Sequence, residues 1–290
     1  MGGKAMQQYE TITVKPIGGT MGAEISGVDL SKELGNEIFS EIHQAFLENQ
    51  LLVFHDQDLT IEQNKAFARR FGPLVPYPFV KGLEEHPEVF EIRKEPDEEK
   101  NFGGAWHTDM SFDERPPIAT MLYAHEVPSR GGDTVLTNLY RAYETLSPTM
   151  RAFVDGLTGI YSGDLKGRRG GRAALMSSTR FDATNVENAP KMESEHPLVR
   201  THAETGRKAL YISGSHLYRI KELADKESDA LVAFLKDHAA TLDFTARASY
   251  RKGTLVIWDN RCTQHMALND YPGERRVMHR LTIGGGDRPH

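Results

Sequence analysis

The sequence has only one cysteine, Cys262, among its 290 residues. A single cysteine cannot form an intramolecular disulfide bond, and this composition is typical of a protein made for a reducing compartment. Basic residues are not in excess either. The 35 Lys and Arg are outnumbered by 41 Asp and Glu, which gives a net charge of -6. Because nucleic acids and anionic membranes bind basic surfaces, this charge balance argues against both as partners.

Long apolar runs are also absent from the sequence. No stretch reaches the roughly 18 consecutive apolar residues that a membrane-spanning helix requires. The N-terminal segment MGGKAMQQYE lacks the apolar core of a secretory signal peptide. We therefore predict a cytoplasmic protein with no membrane partner.

Short apolar segments typical of β-strands are present along most of the chain. They cover residues 12–16, 51–54, 89–92, 119–124, 208–212, 244–250, 254–258 and 276–283. Helical spacing appears at fewer places: 31–50, the segment from Thr60 to Gly72, and 227–240 with Ala230, Leu231, Phe234 and Leu235 on one side. Many strands with few helices predict a mainly β sandwich or barrel with helices packed outside.

Residues 161–197 show little periodicity. An irregular stretch of this length in a compact domain is usually functional or disordered. We predict a lid insertion over an active site, within a single domain that spans 1–290. The alternative is a solvated insertion without a role. The basic run 166–172 has no interleaved aromatic residues and does not indicate a nucleic-acid site.

His107 and Asp109 are two residues apart in the segment AWHTDMSF. On an extended chain, residues at this spacing point to the same side, so an imidazole and a carboxylate could bind one ion together. Taken alone, this pattern is common by chance. A third ligand, His265, follows the segment WDNRCTQ. Two histidines and one carboxylate on one face of a metal, with open positions opposite, are typical of non-haem Fe(II) oxygenases.

A strand near the C-terminus carries two arginines on one face. Arg276, Met278 and Arg280 alternate with Val277 and His279. Two guanidinium groups on a core strand are costly unless anions pair with them, and the planar fork of arginine matches a carboxylate. Surface salt bridges are the alternative.

A Gly-Gly-Asp-Thr turn at 131–134 ends in a hydroxyl, Thr134, which could bind the same carboxylate as one of the arginines. A hairpin without chemistry is the alternative for this turn.

These segments together resemble the taurine dioxygenase/TfdA family of Fe(II)- and 2-oxoglutarate-dependent dioxygenases. The similarity begins at GAEISGVDL (22–30) and includes the four segments WHTD (106–109), GGDT (131–134), WDNR (258–261) and QH (264–265), followed by Arg276 and Arg280. Several independent motifs in the right order make the resemblance specific.

The resemblance implies a distorted double-stranded β-helix, a jelly roll similar to that of cupins. It implies Fe(II) on His107, Asp109 and His265. It further implies that Arg276 and Thr134 hold 2-oxoglutarate and that Arg280 meets an acidic group of the substrate. The expected reaction consumes O₂ and 2-oxoglutarate, hydroxylates a small anionic organic molecule and releases succinate and CO₂.

The substrate is less well defined by the sequence. The segment FGPLVPYP (71–78) lacks the histidine that taurine-cleaving members carry after Phe-Gly, which puts taurine in doubt. The segment around Pro87–Arg93, followed by the metal motif, resembles more closely the members that cleave aryloxyalkanoates. We expect an aryloxyalkanoate, a sulfonate or a sulfate ester. Tyr77, Phe102 and Gly103 are the candidate substrate contacts beside Arg280, and Phe79 is a further aromatic candidate. Core packing is the alternative for these aromatic residues.

Three other functions remain open from the sequence. The chain could be a biosynthetic hydroxylase or desaturase of an amino-acid derivative, a zinc hydrolase with the same ligands, or a jelly-roll protein that binds 2-oxoglutarate without turnover. A homo-oligomer, either dimer or tetramer, is expected because the predicted helices carry apolar faces.

Overall fold

The computed structural model describes residues 9–163 and 192–290. Its strands are β1 (Thr13–Pro16), β2 (Ala23–Ser26), β3 (Leu51–Phe54), β4 (Leu74–Val75), β5 (Val89–Lys94), β6 (Ala119–Glu126), β7 (Thr134–Asn138), β8 (Thr158–Ser162), β9 (Glu193–Pro197), β10 (Val199–Thr201), β11 (Lys208–Leu210), β12 (Leu217–Ile220), β13 (Thr245–Ala248), β14 (Leu255–Asp259), β15 (Thr263–Ala267) and β16 (Arg276–Ile283). Its helices are α1 (Asn36–Asn49), α2 (Ile61–Arg69), α3 (Leu139–Glu144), α4 (Pro148–Val154), α5 (Asp225–Ala239) and a 3₁₀ turn, Leu242–Phe244. No helix in the described ranges is long and apolar enough to cross a bilayer.

One large sheet dominates the architecture. Its strand order is β1-β2-β3-β14-β6-β16-β4, and β5 also pairs with β16. All of its pairs are antiparallel except β2 with β3. Three smaller sheets have the orders β13-β7-β15, β12-β8-β9 and β10-β11. The mainly β architecture with flanking helices agrees with the sequence prediction.

Both faces of the large sheet are covered. On the outer face, Ile42 and Phe46 of α1 pack in one apolar cluster with Leu281 of β16. On the inner face, Met278 of β16 packs with Leu136 of β7, which belongs to the sheet β13-β7-β15. Because side chains alternate along a strand, Arg276 and Arg280 share the inner face with Met278. This alternation directs both guanidinium groups into the space between the two sheets.

The predicted helices differ from the observed ones mainly in their starts and faces. Helix α1 begins at Asn36 rather than at residue 31 because Ser31 instead folds back in a turn, where its N–H and hydroxyl both donate to Asp29. The predicted capping box at the start of α2 is present between Thr60 and Gln63.

The predicted apolar face of the last helix is correct for Leu235, which is buried, and for Leu231, which packs against the core, but wrong for Ala230 and Phe234, which are exposed. In α5 the buried positions are Ser228, Val232, Leu235 and Ala239. Phe234 is 46% exposed and stacks on His238 instead of packing inward. The buried face differs from the predicted one because the helix packs against β12, where the backbone N–H of Ile220 donates to the Ser228 hydroxyl.

The irregular stretch predicted at 161–197 is regular at both ends. Strands β8 and β9 pair antiparallel, with Tyr161 opposite Ser194, and β12 flanks β8 on its other side. The polar segment Glu193–Pro197 has no apolar alternation, so only its partner strand reveals it as a strand. The rest of the predicted lid, 164–191, lies outside the described residues, and the lid stays a prediction.

Candidate active site

His107 and His265 lie opposite each other in a single antiparallel bridge. The N–H of His107 donates to the His265 carbonyl at 3.0 Å, and the N–H of His265 donates to the His107 carbonyl at 2.8 Å. Residues paired in this way project their side chains to the same face. The two imidazole centroids are accordingly 4.1 Å apart. Two histidines that are distant in the sequence therefore share one site.

Asp109 completes this group, although not from a regular strand. It lies in a turn just before Met110, whose φ is 44°. Its Oδ1 atom is 3.6 Å from Nε2 of His107 and 3.8 Å from Nε2 of His265. One ligand atom from each of the three residues lies within 4.8 Å of the others. The three side chains, which we call the 107/109/265 cluster, can contact one metal ion from one side.

The protonation states of the cluster suit a metal ion. Nδ1 of His107 is 2.7 Å from the Ala105 carbonyl, which can only accept, so Nδ1 carries a proton and Nε2 is the ring nitrogen that faces Asp109 Oδ1. Burial and the neighbouring His107 hold the pKa of His265 well below its usual value. Burial opposes ionisation of Asp109, but Arg280, the two histidines and a hydrogen bond from Thr120 outweigh it and lower the pKa. The cluster thus offers an Nε2 atom from each of two imidazoles and one carboxylate oxygen as ligand atoms.

Arg276 lies beside the cluster, in the same pocket as the two histidines. Its guanidinium is 5.2 Å above the ring of Tyr250, and the Tyr250 hydroxyl is 2.9 Å from that of Thr134. Sequence reasoning selected Arg276 and Thr134 but missed Tyr250, which follows β13 and has no motif of its own. The three side chains form a cationic corner with two hydroxyl groups.

The Gly131-Gly132 turn leaves room for Arg276. Both glycines have positive φ, 74° and 70°, which side chains rarely adopt. A Cβ on Gly132 would lie 3.3 Å from Cδ and Nε of Arg276. The turn is fixed by a hydrogen bond from the Gly132 N–H to Asp270 Oδ1, at 2.8 Å. The predicted turn thus has a steric role in the site.

Arg280 lies on the other side of the cluster. Its Nη2 is 3.0 Å from Asp109 Oδ1, without hydrogen-bond geometry, and its guanidinium is 5.1 Å above the ring of Tyr77. Tyr77 stacks on Phe90 at 5.4 Å, and Phe102 meets Phe90 edge-on at 5.3 Å. Sequence reasoning named Tyr77 and Phe102 but missed Phe90. An aromatic wall therefore borders the second guanidinium.

Both arginines are buried and incompletely paired. Arg276 is 5% exposed and Arg280 is 3% exposed. In each, Nε and Nη2 have no hydrogen-bond partner among residues 9–163 and 192–290. A buried cation with free N–H groups is costly, and an anionic ligand would remove that cost. The guanidinium groups of Arg276 and Arg280 are therefore both suited to bind an anionic group.

A single pocket connects the histidines, the two arginines and part of the aromatic wall. Apart from these groups its lining is mostly apolar and includes Ile92, Phe102, Gly103, Leu122, Thr134, Trp258 and Ala267. Phe102 and Gly103 therefore lie where the sequence placed them, and Tyr77 borders the pocket through Arg280. Phe79 differs, since it is buried in the core against Phe112.

A second group with metal-ligand chemistry, His202, Asp259 and Cys262, is fully occupied by protein contacts. Asp259 Oδ1 accepts from the N–H and Nε of Arg261, at 2.9 and 2.8 Å. Its Oδ2 accepts from Nη2 of Arg261 at 2.8 Å and from Nε2 of His202 at 3.0 Å. Burial raises the pKa of the Cys262 thiol well above its usual value. This group, which we call the 202/259/262 cluster, is a structural ion-pair network.

Comparison with known proteins identifies the family. The model of the taurine catabolism dioxygenase TauD, TfdA family matches residues 13–282. The chain belongs to the TauD/TfdA family. It is therefore a 2-oxoglutarate-dependent dioxygenase, which implies non-haem iron, 2-oxoglutarate and O₂ as the reaction components.

Individual relatives match over almost the whole chain. An alkylsulfatase from Acinetobacter baylyi is 33% identical, over 95% of this chain and 86% of the relative. An alpha-ketoglutarate-dependent sulfate ester dioxygenase from Pseudomonas putida is 32% identical, over 94% of this chain and 90% of the relative. The crystal structure of a taurine dioxygenase from Burkholderia xenovorans superposes with a TM-score of 0.80 at 37% identity, covering 97% and 93% of the two chains.

The sequence predictions of family, jelly-roll fold and enzyme class are confirmed by these comparisons. Further relatives are named for phenoxyalkanoate substrates, which agrees with the expected group of aryloxyalkanoate-cleaving members. Thr120 and Tyr250 are polar residues around the site that sequence reasoning did not select, and Asn260 was named only as part of the WDNR segment. No local pattern distinguishes Thr120 or Tyr250, because each reaches the site through the pairing of distant strands.

Proposed function

We propose that His107, Asp109 and His265 hold the ferrous ion that this dioxygenase family requires. The observation that supports this most is the convergence of their ligand atoms, two imidazole nitrogens and one carboxylate oxygen, within 4.8 Å. Two histidines and a carboxylate on one face suit iron chemistry that needs open positions for further ligands. When bound, the iron with 2-oxoglutarate and O₂ supplies the oxidising power that hydroxylates the substrate and yields succinate and CO₂.

The Arg276 corner is proposed to bind the distal carboxylate of 2-oxoglutarate. Nε and Nη2 of Arg276 are free among the described residues and can donate two parallel hydrogen bonds to a carboxylate. Thr134 and Tyr250 add hydroxyl groups that already contact each other at 2.9 Å. The Tyr250 ring under the guanidinium excludes water from one side of this ion pair.

Arg280 is proposed to bind the anionic end of the organic substrate that the enzyme hydroxylates, with Tyr77, Phe102 and Gly103 beside it. The apolar lining by Ile92 and Leu122 suits a hydrocarbon body and offers no partner for an ammonium group. An alkyl sulfate ester combines an anionic end with a hydrocarbon body and has no ammonium group. Two relatives with about a third of their residues identical are named for alkyl sulfate or sulfate ester activity. We therefore propose an alkyl sulfate as the substrate class.

An aryloxyalkanoate is the second candidate substrate class. The aromatic wall of Tyr77, Phe90 and Phe102 borders Arg280 and would suit an aryl ring next to a carboxylate. A phenoxypropionate dioxygenase from Sphingobium herbicidovorans is 32% identical over 94% of this chain. Both substrate classes place an oxidisable carbon next to an ether or ester oxygen.

The test is a substrate panel followed by 2-oxoglutarate-dependent O₂ uptake. It includes alkyl sulfates of increasing chain length, phenoxyalkanoates, taurine and simple alkanesulfonates. We expect alkyl sulfates to give the highest turnover. Hydroxylation of the carbon that bears the ester oxygen makes the product collapse to an aldehyde, so free sulfate and succinate should appear in equal amounts. Higher turnover with phenoxyalkanoates or taurine would overturn the proposed substrate.

Anaerobic and metal-exchanged samples separate the other functions. Sulfate release without O₂ or with Zn²⁺ would indicate a hydrolase. Binding of 2-oxoglutarate without succinate formation for any substrate would indicate a non-catalytic binding protein, and turnover of amino-acid derivatives alone would indicate a biosynthetic hydroxylase or desaturase. A single domain over 1–290, a dimeric or tetrameric assembly and a cytoplasmic location stay predictions.

A further inference from the structure

The second oxygen of Asp109 begins a chain of buried hydrogen bonds that leads away from the site. Thr120 Oγ1 donates to Asp109 Oδ2 at 2.7 Å. Asn260 Nδ2 donates to Thr120 Oγ1 at 3.0 Å, and Trp258 Nε1 donates to Asn260 Oδ1 at 3.1 Å. All four side chains are at most 2% exposed. Water therefore cannot replace a lost hydrogen bond without rearrangement.

The direction of every proton in this chain is determined by the indole at its end. An indole N–H only donates, so the Asn260 group that faces Trp258 must be the carbonyl oxygen. The amide nitrogen of Asn260 then faces Thr120 and donates to it. A hydroxyl has one proton, and with its oxygen already accepting, Thr120 directs that proton to Asp109. The side chains of Trp258 and Asn260 thus orient the Thr120 hydroxyl.

The backbone places these groups in register. Thr120 is on β6, the strand between β14 and β16, and lies directly opposite Trp258 of β14. The N–H of Asn260 donates to the Ile118 carbonyl at 2.9 Å, which holds the Asn260 side chain beside Thr120. The Trp258 ring also packs on His265, with centroids 4.6 Å apart. The chain therefore links the carboxylate of the 107/109/265 cluster to one of its imidazoles.

We propose that Thr120 is a positioning residue that keeps Asp109 as a one-oxygen ligand. The Thr120 hydroxyl occupies Oδ2, so only Oδ1 faces the two imidazole Nε2 atoms, at 3.6 and 3.8 Å. A carboxylate free to rotate could present both oxygens to an ion and would cover a coordination position that the cosubstrate or O₂ needs. This inference rests on the proposed ligand set.

The test is metal binding by the apoprotein, with Co²⁺ as a spectroscopic probe and no substrate. Thr120→Val keeps the shape of the side chain but removes its hydroxyl, and Thr120→Ser restores the hydroxyl. We expect Thr120→Val to weaken Co²⁺ binding by about 10- to 100-fold, as for other outer hydrogen bonds to metal ligands, and to change the visible spectrum. Thr120→Ser should bind close to wild type.

A matched control is Thr137→Val. Thr137 is equally buried, but its hydroxyl donates to the Ala239 carbonyl, outside the site. This variant should lower the Tm while leaving the Co²⁺ affinity and spectrum of the folded protein unchanged. A Thr120→Val protein that loses Tm like the control but binds Co²⁺ with wild-type affinity and spectrum would overturn the proposal.

Trp258→Phe covers the case in which Thr120→Val does not fold. It keeps a ring beside His265 but removes the N–H that orients Asn260, so we expect a smaller loss of Co²⁺ affinity in the same direction. Wild-type affinity in Trp258→Phe would then contradict the inference. Failure of the wild-type protein to bind Co²⁺ would instead contradict the proposed ligand set itself.

Discussion

The 107/109/265 cluster and the 202/259/262 cluster each contain a histidine, an aspartate and a third side chain that can bind a metal, yet they differ in how far protein hydrogen bonds occupy the aspartate. In the second, both oxygens of Asp259 accept hydrogen bonds from Arg261 and His202. In the first, Asp109 Oδ2 accepts from Thr120, while Oδ1 has cationic or imidazole neighbours without hydrogen-bond geometry. Ligand type and burial alone therefore do not define a metal site.

Our proposal of different roles for the two clusters rests on this difference in the hydrogen bonding of Asp109 and Asp259. The same criterion applies to the arginines. Arg261 is held by Asp259 and Glu204, whereas Arg276 and Arg280 have free N–H groups among the described residues. A buried polar group without a protein partner requires another partner for stability. The unpaired N–H groups of Arg276 and Arg280 both belong to residues that line one pocket.

The largest expected effect is the loss of a metal ligand. Asp109→Asn should abolish succinate formation and weaken Co²⁺ binding by at least about a hundredfold, because the only anionic ligand is lost. Isothermal titration with the apoprotein measures the binding. Cys262→Ala is the control from the other cluster and should still bind one ion with unchanged affinity. Wild-type affinity and stoichiometry in Asp109→Asn would mean that the ion binds elsewhere.

A large stability effect is expected from the second cluster. Asp259→Asn removes the negative charge that pairs with buried Arg261, and breaking a buried ion pair in this way typically costs about 3–5 kcal/mol. Urea unfolding of the apoprotein would measure the loss. The folded fraction should still bind Co²⁺ normally. A loss of metal binding with little loss of stability would reverse the roles that we assign to the two clusters.

A smaller effect is expected on cosubstrate binding. Arg276→Gln should raise the 2-oxoglutarate concentration needed for half-maximal turnover by about 10- to 100-fold, since a charge-assisted hydrogen bond contributes about 1.5–3 kcal/mol. Arg280→Gln is the comparison variant and should mainly raise the concentration of the organic substrate needed for half-maximal turnover. Steady-state O₂ uptake with each reactant varied in turn measures both. Identical effects of the two variants would contradict the separate roles.

The smallest effect concerns acid stability. The pKa of Asp109 lies below its ordinary value of 3.8, so the unfolded chain binds its proton at a higher pH than the folded protein does. The stabilisation is present above pH 3.8 and is lost as the pH falls through the lowered pKa. Part of the free energy of unfolding is therefore lost as the pH falls below 4. Asp109→Asn should make this loss less steep, by up to about 1.4 kcal/mol per pH unit. Urea unfolding at several pH values measures this free energy. If it fell equally steeply with decreasing pH in Asp109→Asn and in the wild type, a stabilised Asp109 carboxylate would be contradicted.

The sequence predicted those parts of the site that depend on local periodicity. The strand period of two placed Arg276 and Arg280 on one face, and β16 has the predicted bounds. The spacing of His107 and Asp109 selected two of the three proposed ligands, although the extended geometry assumed for them is replaced by one bridge and a turn.

The remaining parts of the site depend on register between distant strands. Thr120 reaches Asp109 only because β6 lies between β14 and β16, and Tyr250 reaches Arg276 only because β13 pairs with β7. No spacing in the sequence encodes these contacts. The buried face of α5 has a similar origin, since packing against β12 selects Leu235 over Phe234.

The most direct test of the metal site is an anaerobic crystal structure with Mn²⁺ in place of Fe²⁺ and with 2-oxoglutarate. We expect one ion at bonding distance from Nε2 of His107, Nε2 of His265 and Oδ1 of Asp109, with Oδ2 still hydrogen bonded to Thr120 and the cosubstrate carboxylate on Arg276. An ion bound at Asp259, or an ion that fails to contact all three proposed ligands, would contradict the account.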